Sequence, residues 1–248
     1  VCYQTRPPIK IDGILTDWPP AARAAGQVIN SSAQVVFGGK LWDGVTDSQA
    51  RFYTAWDNTC FYLAAEITDN RIIGELSPDK IYCNDGIEVY FDTAHNEDCT
   101  TATYNTDDFQ FIAANTSAGV TVRGYSAAAV NPPAGKYLAA IIPDSKLPGY
   151  VVELAIPLAE LNLAPQPGLI IGFAVNVNDD DDPAAETQET QTAWTAQPNC
   201  FNNPLMFGDL MFIGGADIPA AGLVITENKP GEFDKFTIGN YVYVPPKT

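Results

Sequence analysis

The sequence predicts an all-β fold, an antiparallel β-sandwich of the immunoglobulin or jelly-roll type with long loops and one short helix. Short segments of alternating apolar and polar residues recur along the chain, and turn-forming Gly, Pro, Asn and Asp separate them. A length of 248 residues suits one all-β domain. We expect the sandwich to cover residues 1–213, with residues 214–248 as a hairpin-like extension packed on the same domain.

The predicted strands share a two-residue alternation, which places successive side chains on opposite faces. They cover residues 51–55, 60–68, 86–92, 108–113, 120–125, 137–142, 150–156, 169–178 and 207–212. Before them, the Asp12-Gly13 pair indicates a turn, Trp18 is expected to plug the end of a core, and residues 21–49 are predicted to be surface loops. Pro157 to Leu161 is the one predicted helical turn, with proline at its first position.

The strand at residues 86–92 has the strictest alternation. One face is apolar, with Ile87, Val89 and Phe91, and the other is polar, with Glu88, Tyr90 and Asp92. A turn and Tyr82 lead into it. Two interpretations are open: a shelf for a ligand, or a half-buried strand whose acidic residues are only solvated.

The charge of the chain excludes several classes of partner. Asp and Glu total 30 against 13 Lys and Arg, a formal net charge of -17. Such a protein repels nucleic acid and anionic membrane surfaces. No apolar run approaches the roughly 18 residues that a membrane span requires. The composition favours a neutral polar ligand or divalent cations.

The polar faces of the predicted strands carry hydrogen-bonding side chains and no lysine. These residues are Glu66, Glu88, Gln110, Arg123, Glu153, Asn176 and Asn178. If the strands are neighbours, the side chains form a surface of donors and acceptors. A pyranose ring needs such a surface, because its hydroxyl groups both donate and accept.

Five cysteines are present, and none forms a C-x-x-C pair that would indicate zinc or thioredoxin-like chemistry. Cys83 and Cys99 flank one strand and its loop, so they are the first candidates for a disulfide. The alternative is that both are reduced.

Six segments of the chain, in order, resemble carbohydrate-binding modules of family nine and related extracellular β-sandwich domains. The segments are Ile11–Trp18, Ala55–Asn58 followed by Phe61–Leu63 and Ile67–Asp69, Asn84–Asp92, Gly149–Pro157, Phe173–Asp179, and Pro204–Leu210. The resemblance implies a non-catalytic module that binds a β-glucan or xylan, with the reducing end of the chain as one candidate. It also implies a monomer that was once part of a larger multidomain protein, outside the cell or on its surface.

The resemblance also implies ligand-binding residues. In the family, two tryptophans enclose a sugar; Tyr82 stands in the place of the first and Trp194 in the place of the second. Glu88 and Gln110 match hydrogen-bonding residues of the family, and Arg123 is a looser match to a basic residue of the cleft. Because a tyrosine ring offers less area than an indole, we expect weaker or altered sugar affinity.

Metal-stabilised relatives imply a structural calcium ion. The oxygens of Asp69, Asp179 and Asp180 are the predicted ligands, because calcium prefers six to eight oxygens supplied by loops. The alternative is a solvated acidic run.

Three other functions are open. An adhesion or structural domain of the same fold would have lost sugar binding, as the missing tryptophan suggests. A glycosidase would use Glu88 and Glu153 as paired carboxyl groups. Haem-binding sandwich domains would use His95 with Met206 or Met211.

Overall fold

The structure is a computed structural model that describes residues 1–95, 103–126, 137–143, 148–182, 184, 186–214, 236–238 and 241–243. Its strands are β1 (Cys2–Gln4), β2 (Gln27–Ile29), β3 (Val35–Phe37), β4 (Ser48–Trp56), β5 (Cys60–Asp69), β6 (Gly86–Asp92), β7 (Asp108–Thr116), β8 (Gly119–Ser126), β9 (Leu138–Pro143), β10 (Gly149–Pro157), β11 (Ile170–Asp179), β12 (Thr190–Ala193), β13 (Gly208–Ile213), β14 (Phe236–Ile238) and β15 (Tyr241–Tyr243). One α-helix, α1, covers Pro20–Ala24. Single 3-10 turns cover Leu15–Asp17, Ser32–Gln34, Pro78–Cys83, Leu158–Leu161, Cys200–Asn202 and Pro204–Met206.

Two antiparallel layers make up the fold. The first layer has the order β2-β4-β5-β10-β9. The second has the order β8-β7-β6-β11. On the other side of β11, β13 pairs with its first half and β12 with its second half, and β3 pairs with β12. Strand β1 runs parallel to both β4 and β13 and so joins the layers. The predicted β-sandwich is confirmed.

Aromatic rings from both layers fill the core between them. Phe61 of β5 packs edge-on against Phe91 of β6 at 5.0 Å between ring centroids, and Phe91 lies 5.5 Å from Phe173 of β11. These rings belong to one cluster of buried side chains drawn from both layers. Burial of this area stabilises the sandwich and fixes which face of each strand points outward.

The outer face of the first layer is covered by the start of the chain. Trp18 is 2% exposed, and its indole donates to Oε1 of Glu153 at 2.6 Å. The backbone N–H groups of Asp12 and Gly13 donate to Oε2 of the same carboxylate. Gly13 has a φ of +79°, which confirms the predicted turn. The outer face of the second layer therefore carries the polar surface available to a ligand.

Two features of secondary structure differ from the sequence-based expectation. The predicted helical turn is a 3-10 turn at Leu158–Leu161, while the α-helix lies at Pro20–Ala24, where Pro20 supplies a suitable first residue. The segment 21–49, predicted as loops, also contains β2 and β3. Three residues are too few to show an alternation in the sequence.

Two further expectations concern segments that the structure describes only in part. Cys83 is a free cysteine, contrary to the first candidate disulfide, and Cys99 lies outside the described residues. In the tail, β14 and β15 pair in antiparallel orientation, while the rest of residues 215–248 lies outside the described residues. The packing of this extension on the sandwich stays a prediction. Within the described ranges, no helix has the length and apolar character to cross a membrane.

Candidate functional site

The centre of the second layer carries a buried carboxylate held by three donors. Glu88 projects from the outer face of β6 and is 3% exposed. Its Oε2 accepts hydrogen bonds from the hydroxyl of Tyr90 and from Nε2 of Gln110, the latter at 2.8 Å. Its Oε1 accepts from Nδ2 of Asn178 at 2.7 Å. A carboxylate has about four lone-pair positions, so one acceptor position of Glu88 is left for a ligand.

Side-chain amides extend this network across the neighbouring strands. Oδ1 of Asn178 accepts from Nε2 of Gln188 at 3.0 Å and from Nε2 of Gln191 at 2.8 Å. Nδ2 of Asn176 donates to Oε1 of Gln191 at 3.1 Å. Because each amide is held by a neighbour, the polar groups are fixed before any ligand arrives.

Burial raises the pKa of Glu88 above its usual range, and the hydrogen bonds from Tyr90, Asn178 and Gln110 oppose that rise. The network needs the ionised form, because all three partners are donors. On acidification the carboxyl group gains a proton, which turns one of its acceptor positions into a donor. The network is therefore weakened by acidification and not by a rise in pH.

A cleft of about 370 Å³ opens over this network. Its polar lining consists of Glu88, Gln110, Gln188, Gln191 and Asn199. Its apolar and aromatic lining consists of Val36, Phe37, Tyr82, Ile112, Tyr125, Pro198 and Phe201. A mixed floor with aromatic walls is typical of sites for small neutral molecules.

Two exposed rings of the cleft are carried near opposite ends of β6. Tyr82, 44% exposed, lies on the 3-10 turn just before Gly86, where β6 begins. Phe201, 55% exposed, follows Cys200, which packs against Tyr90 near the other end of the strand. Both rings line the cleft. They offer flat apolar surfaces in the same cleft as the buried carboxylate.

The structure brings three of the predicted ligand residues together and separates the other two. Tyr82, Glu88 and Gln110 line the same cleft. Arg123 does not line it, because its Nη1 donates to the backbone carbonyl of Pro78 at 2.8 Å and lies 3.2 Å from the carboxylate of Asp79. Arg123 therefore anchors the turn that carries Tyr82.

The predicted position of Trp194 needs correction. The centroid of its ring lies 5.7 Å from that of Phe52 and 6.2 Å from that of Phe173, and both are core residues. Trp194 does not line the cleft. The reason is register: Asn176 pairs with Ala193, so the next residue, Trp194, lies beside Val175 on the inner face. Trp194 is thus a packing residue at the edge of the core.

This position gives the first testable prediction. We expect Trp194→Ala to lower the free energy of unfolding by about 2–3 kcal/mol, because it removes a large, partly buried ring. Sugar affinity measured at 10–15 °C, well below the melting transition, should change by less than about twofold. Urea unfolding and calorimetric titration measure the two quantities. A large loss of affinity in a folded variant would return Trp194 to the site.

Two aromatic rings of the cleft are not among the ligand-binding residues that the sequence predicts. Phe37 lies at the end of β3, in a segment predicted to be loop, and Phe201 lies in a turn between predicted strands. An aromatic residue in a loop is a weak indication of binding, because loops lie on the surface and their side chains are less often part of the core. Their positions relative to Glu88 depend on long-range pairing.

The two carboxylates considered as a glycosidase pair lie on opposite sides of the molecule. Glu88 points outward from the second layer, and Glu153 points outward from the first layer, beneath Trp18. Packed sheets are about 10 Å apart, and both side chains point away from the core. The pair therefore cannot flank one scissile bond, which requires about 5 to 9.5 Å.

The residues considered for haem each have other partners. His95 lies 3.0 Å from the carboxylate of Asp209. Met211 packs beneath the start of the chain, and Met206 packs against the cluster around Tyr90. These contacts describe packing and an ion pair rather than axial ligands.

A separate cluster of acidic residues lies at the end of β5, β6 and β11. Asp69, Asp85 and Asp179 are buried, and one carboxylate oxygen from each lies within 4.8 Å of the others. Burial raises the pKa of Asp69 and of Asp179 to about 7. Burial and the charge of Asp69 raise the pKa of Asp85 to about 10. Three buried acids at such close range are unfavourable as bare anions.

A buried hydroxyl group adds a second observation at this cluster. The hydroxyl of Tyr150 has no hydrogen-bond partner among the described residues, and its strongest charge interactions are with Asp85, Asp69 and Asp179. The predicted ligand Asp180 is placed differently: its backbone N–H donates to Asp85 at 2.7 Å, and its carboxylate is not part of the cluster. Of the predicted calcium ligands, Asp69 and Asp179 belong to the cluster, whereas Asp85 takes the position predicted for Asp180.

Comparison with known folds places this architecture among characterised structures. A family model described as "Carbohydrate family 9 binding domain-like" matches residues 24–215. A family 9 module from Caldicellulosiruptor kristjanssonii in complex with glucose is similar, with a TM-score of 0.62 and 20% identity over 87% of this chain and 96% of that one. The same source gives a cellotriose complex with a TM-score of 0.63 and 19% identity over 92% and 99%.

Two longer proteins share a region with this chain. Endo-1,4-beta-xylanase A of Thermoanaerobacterium saccharolyticum is 28% identical over 180 residues, and Exoglucanase XynX of Acetivibrio thermocellus is 27% identical over 180 residues. Each match covers 72% of this chain but only 13% of the first protein and 14% of the second. The shared region is a small part of each relative.

Proposed function

The chain belongs to the carbohydrate family 9 binding domain-like family, and from that premise we propose that its cleft binds an oligo- or polysaccharide without cleaving it. The observation that carries the proposal is the fixed network around Glu88, open to the cleft between exposed aromatic rings. Sugar hydroxyls would bond to the carboxylate and amides, while the C–H face of a pyranose would stack on a ring.

The ligand class follows from the relatives and the charge of the cleft. The solved family 9 modules are complexes with glucose and cellotriose, and the longer relatives are named as a xylanase and an exoglucanase. A β-glucan or xylan is therefore the proposed ligand, and its reducing end is the point of contact that the titration below tests. The same relatives support a place outside the cell or on its surface, in a larger multidomain chain, and we propose a monomeric module.

Calorimetric titration with cello- and xylo-oligosaccharides tests this function. We expect measurable heat and a 1:1 stoichiometry with at least one series, and parallel titration of borohydride-reduced sugars shows whether the chain end is required. No heat with any sugar, from a folded protein, would leave the adhesion or structural alternative in its place.

A second prediction concerns the stacking ring. We expect Tyr82→Ala to weaken sugar binding by about tenfold, because an exposed aromatic contact is lost without a change to the core. Ile14→Ala is a matched control, since Ile14 is an exposed apolar residue near the turn that covers the opposite layer. Equal affinity in wild type and Tyr82→Ala would remove this ring from the site.

A structural calcium ion is the other part of the proposal. The donor set fits a hard cation, because Asp69, Asp85 and Asp179 supply close carboxylate oxygens and a positive ion would offset their repulsion. The ion would supply no chemistry to the ligand. Its contribution would be to hold the ends of β5, β6 and β11 together near the turn that carries Tyr82.

A further inference from the structure

Phe37 is an exposed ring at the far side of the cleft from Gln110. It ends β3, which pairs with β12 through Gln191 opposite Phe37, and half of its surface is exposed. The side chain contributes little to the stability of the fold, because it lies outside the clusters of buried hydrophobic residues. It does line the cleft. An exposed ring that lines a cleft of mixed polar and apolar character is a surface available for a ligand.

The cleft spans more of the sheet than one sugar ring can cover. From Gln110 on β7 to Phe37 on β3, the path crosses β6, β11 and β12, which makes four strand-to-strand steps. At roughly 4.8 Å a step, the distance across the sheet is about 19 Å. A single pyranose placed over Glu88 would leave the part near Phe37 unfilled.

The floor between Glu88 and Phe37 consists of uncharged amides. Gln188 and Gln191 both donate to Oδ1 of Asn178, and each amide nitrogen carries a second N–H that this bond does not use. Among the described residues that line the cleft, Glu88 is the one carboxylate, and none is Lys or Arg. This surface suits hydroxyl groups and disfavours carboxylated or sulfated sugars.

We propose that Phe37 forms a second, distal subsite, so that the cleft binds a neutral β-linked glycan of at least three units lying across the strands of the second layer. The proposal rests on the proposed sugar-binding function. The first unit lies over Glu88 and Gln110, the amide floor contacts the next unit, and the ring of Phe37 stacks against the distal one.

Titration of wild type and variants with glucose, cellobiose, cellotriose and cellotetraose tests this subsite. We expect affinity to rise with length up to three or four units. Phe37→Ala should weaken cellotetraose binding roughly threefold to tenfold and leave glucose binding unchanged, while Phe37→Trp, with its larger ring, should tighten cellotetraose binding. Leu41→Ala is the matched control, because Leu41 is exposed close in sequence but does not line the cleft.

Three results would overturn the subsite. Equal affinity for glucose and cellotetraose would mean that one unit fills the site. An equal loss of glucose and cellotetraose binding in Phe37→Ala would place Phe37 in the first subsite. No change in either variant would remove it from the site. In all three cases a sugar still binds, whereas a lack of binding to any sugar is the separate failure of the proposed function.

Discussion

Glu88→Gln is expected to reduce sugar affinity at least tenfold and as much as a hundredfold, the largest effect of any single substitution in the cleft. The new amide places N–H groups where a carboxylate oxygen accepted from Tyr90 and Gln110, or from Asn178. Donor then faces donor within the network, and the sugar hydroxyl that would donate to the free acceptor position of Glu88 loses its charged partner, at a cost to binding of about 1.5–3 kcal/mol. Calorimetric titration with cellotriose measures the loss.

The opposite layer supplies a matched control for this substitution. Glu153 is also a buried carboxylate with three donors, from Trp18, Asp12 and Gly13. Glu153→Gln should lower the melting temperature while the affinity for sugar at low temperature stays within about twofold. If Glu153→Gln weakens binding as much as Glu88→Gln does, the loss reflects general destabilisation, and the cleft assignment is wrong.

Removal of divalent cations is expected to lower the stability of the folded protein. With calcium at a hundred times its dissociation constant, binding to the folded state adds about 2.7 kcal/mol, and removal with EDTA should lower the melting temperature by roughly 5–10 °C. Differential scanning calorimetry with and without calcium measures this shift. Asp85→Asn, which weakens the acidic cluster, should show little difference between the two conditions.

The effect of the chelator should grow with pH. The folded-state pKa of Asp69 and of Asp179 is raised to about 7 from 3.8, so without metal the folded protein holds more protons than the unfolded chain between these values. Stability from this source is complete below about pH 4 and is lost as the pH rises through about 7. The proposed calcium ion would bind the ionised carboxylates, so the difference between the two conditions should be small at pH 5 and large at pH 8. Equal melting temperatures with and without calcium at pH 8 would contradict the cation site.

Local patterns in the sequence predicted most strands and the polar face around Glu88. Alternation is a property of neighbouring residues, and in β6 it identifies the inner and outer faces without any knowledge of the fold. Alternation also suggested one shared surface for Glu88 and Glu153, which the structure places on different layers. Alternation does not state which layer a strand joins, because that depends on pairing between residues far apart in the chain.

Which residues form the cleft and the acidic cluster also depends on pairing between strands that are far apart in the chain. Trp194 faces the core because β12 pairs with β11 in one register, and a shift of one residue would have turned it outward. Phe37 reaches the cleft only because the short strand β3 adds to β12. Asp85 joins Asp69 and Asp179 because three strands end at one place, although each residue alone is typical of a turn.

The side-chain amides beside Glu88 affect which stereochemistry of the sugar the cleft accepts. Asn178 is tied to Gln188 and Gln191, so the groups beneath the cleft cannot rotate freely to suit a different arrangement of hydroxyls. An epimer that inverts one hydroxyl would leave a buried donor or acceptor without a partner, at about 1–3 kcal/mol. Glucose and its epimers galactose and mannose should therefore differ in affinity by roughly fivefold to a hundredfold, despite their equal size.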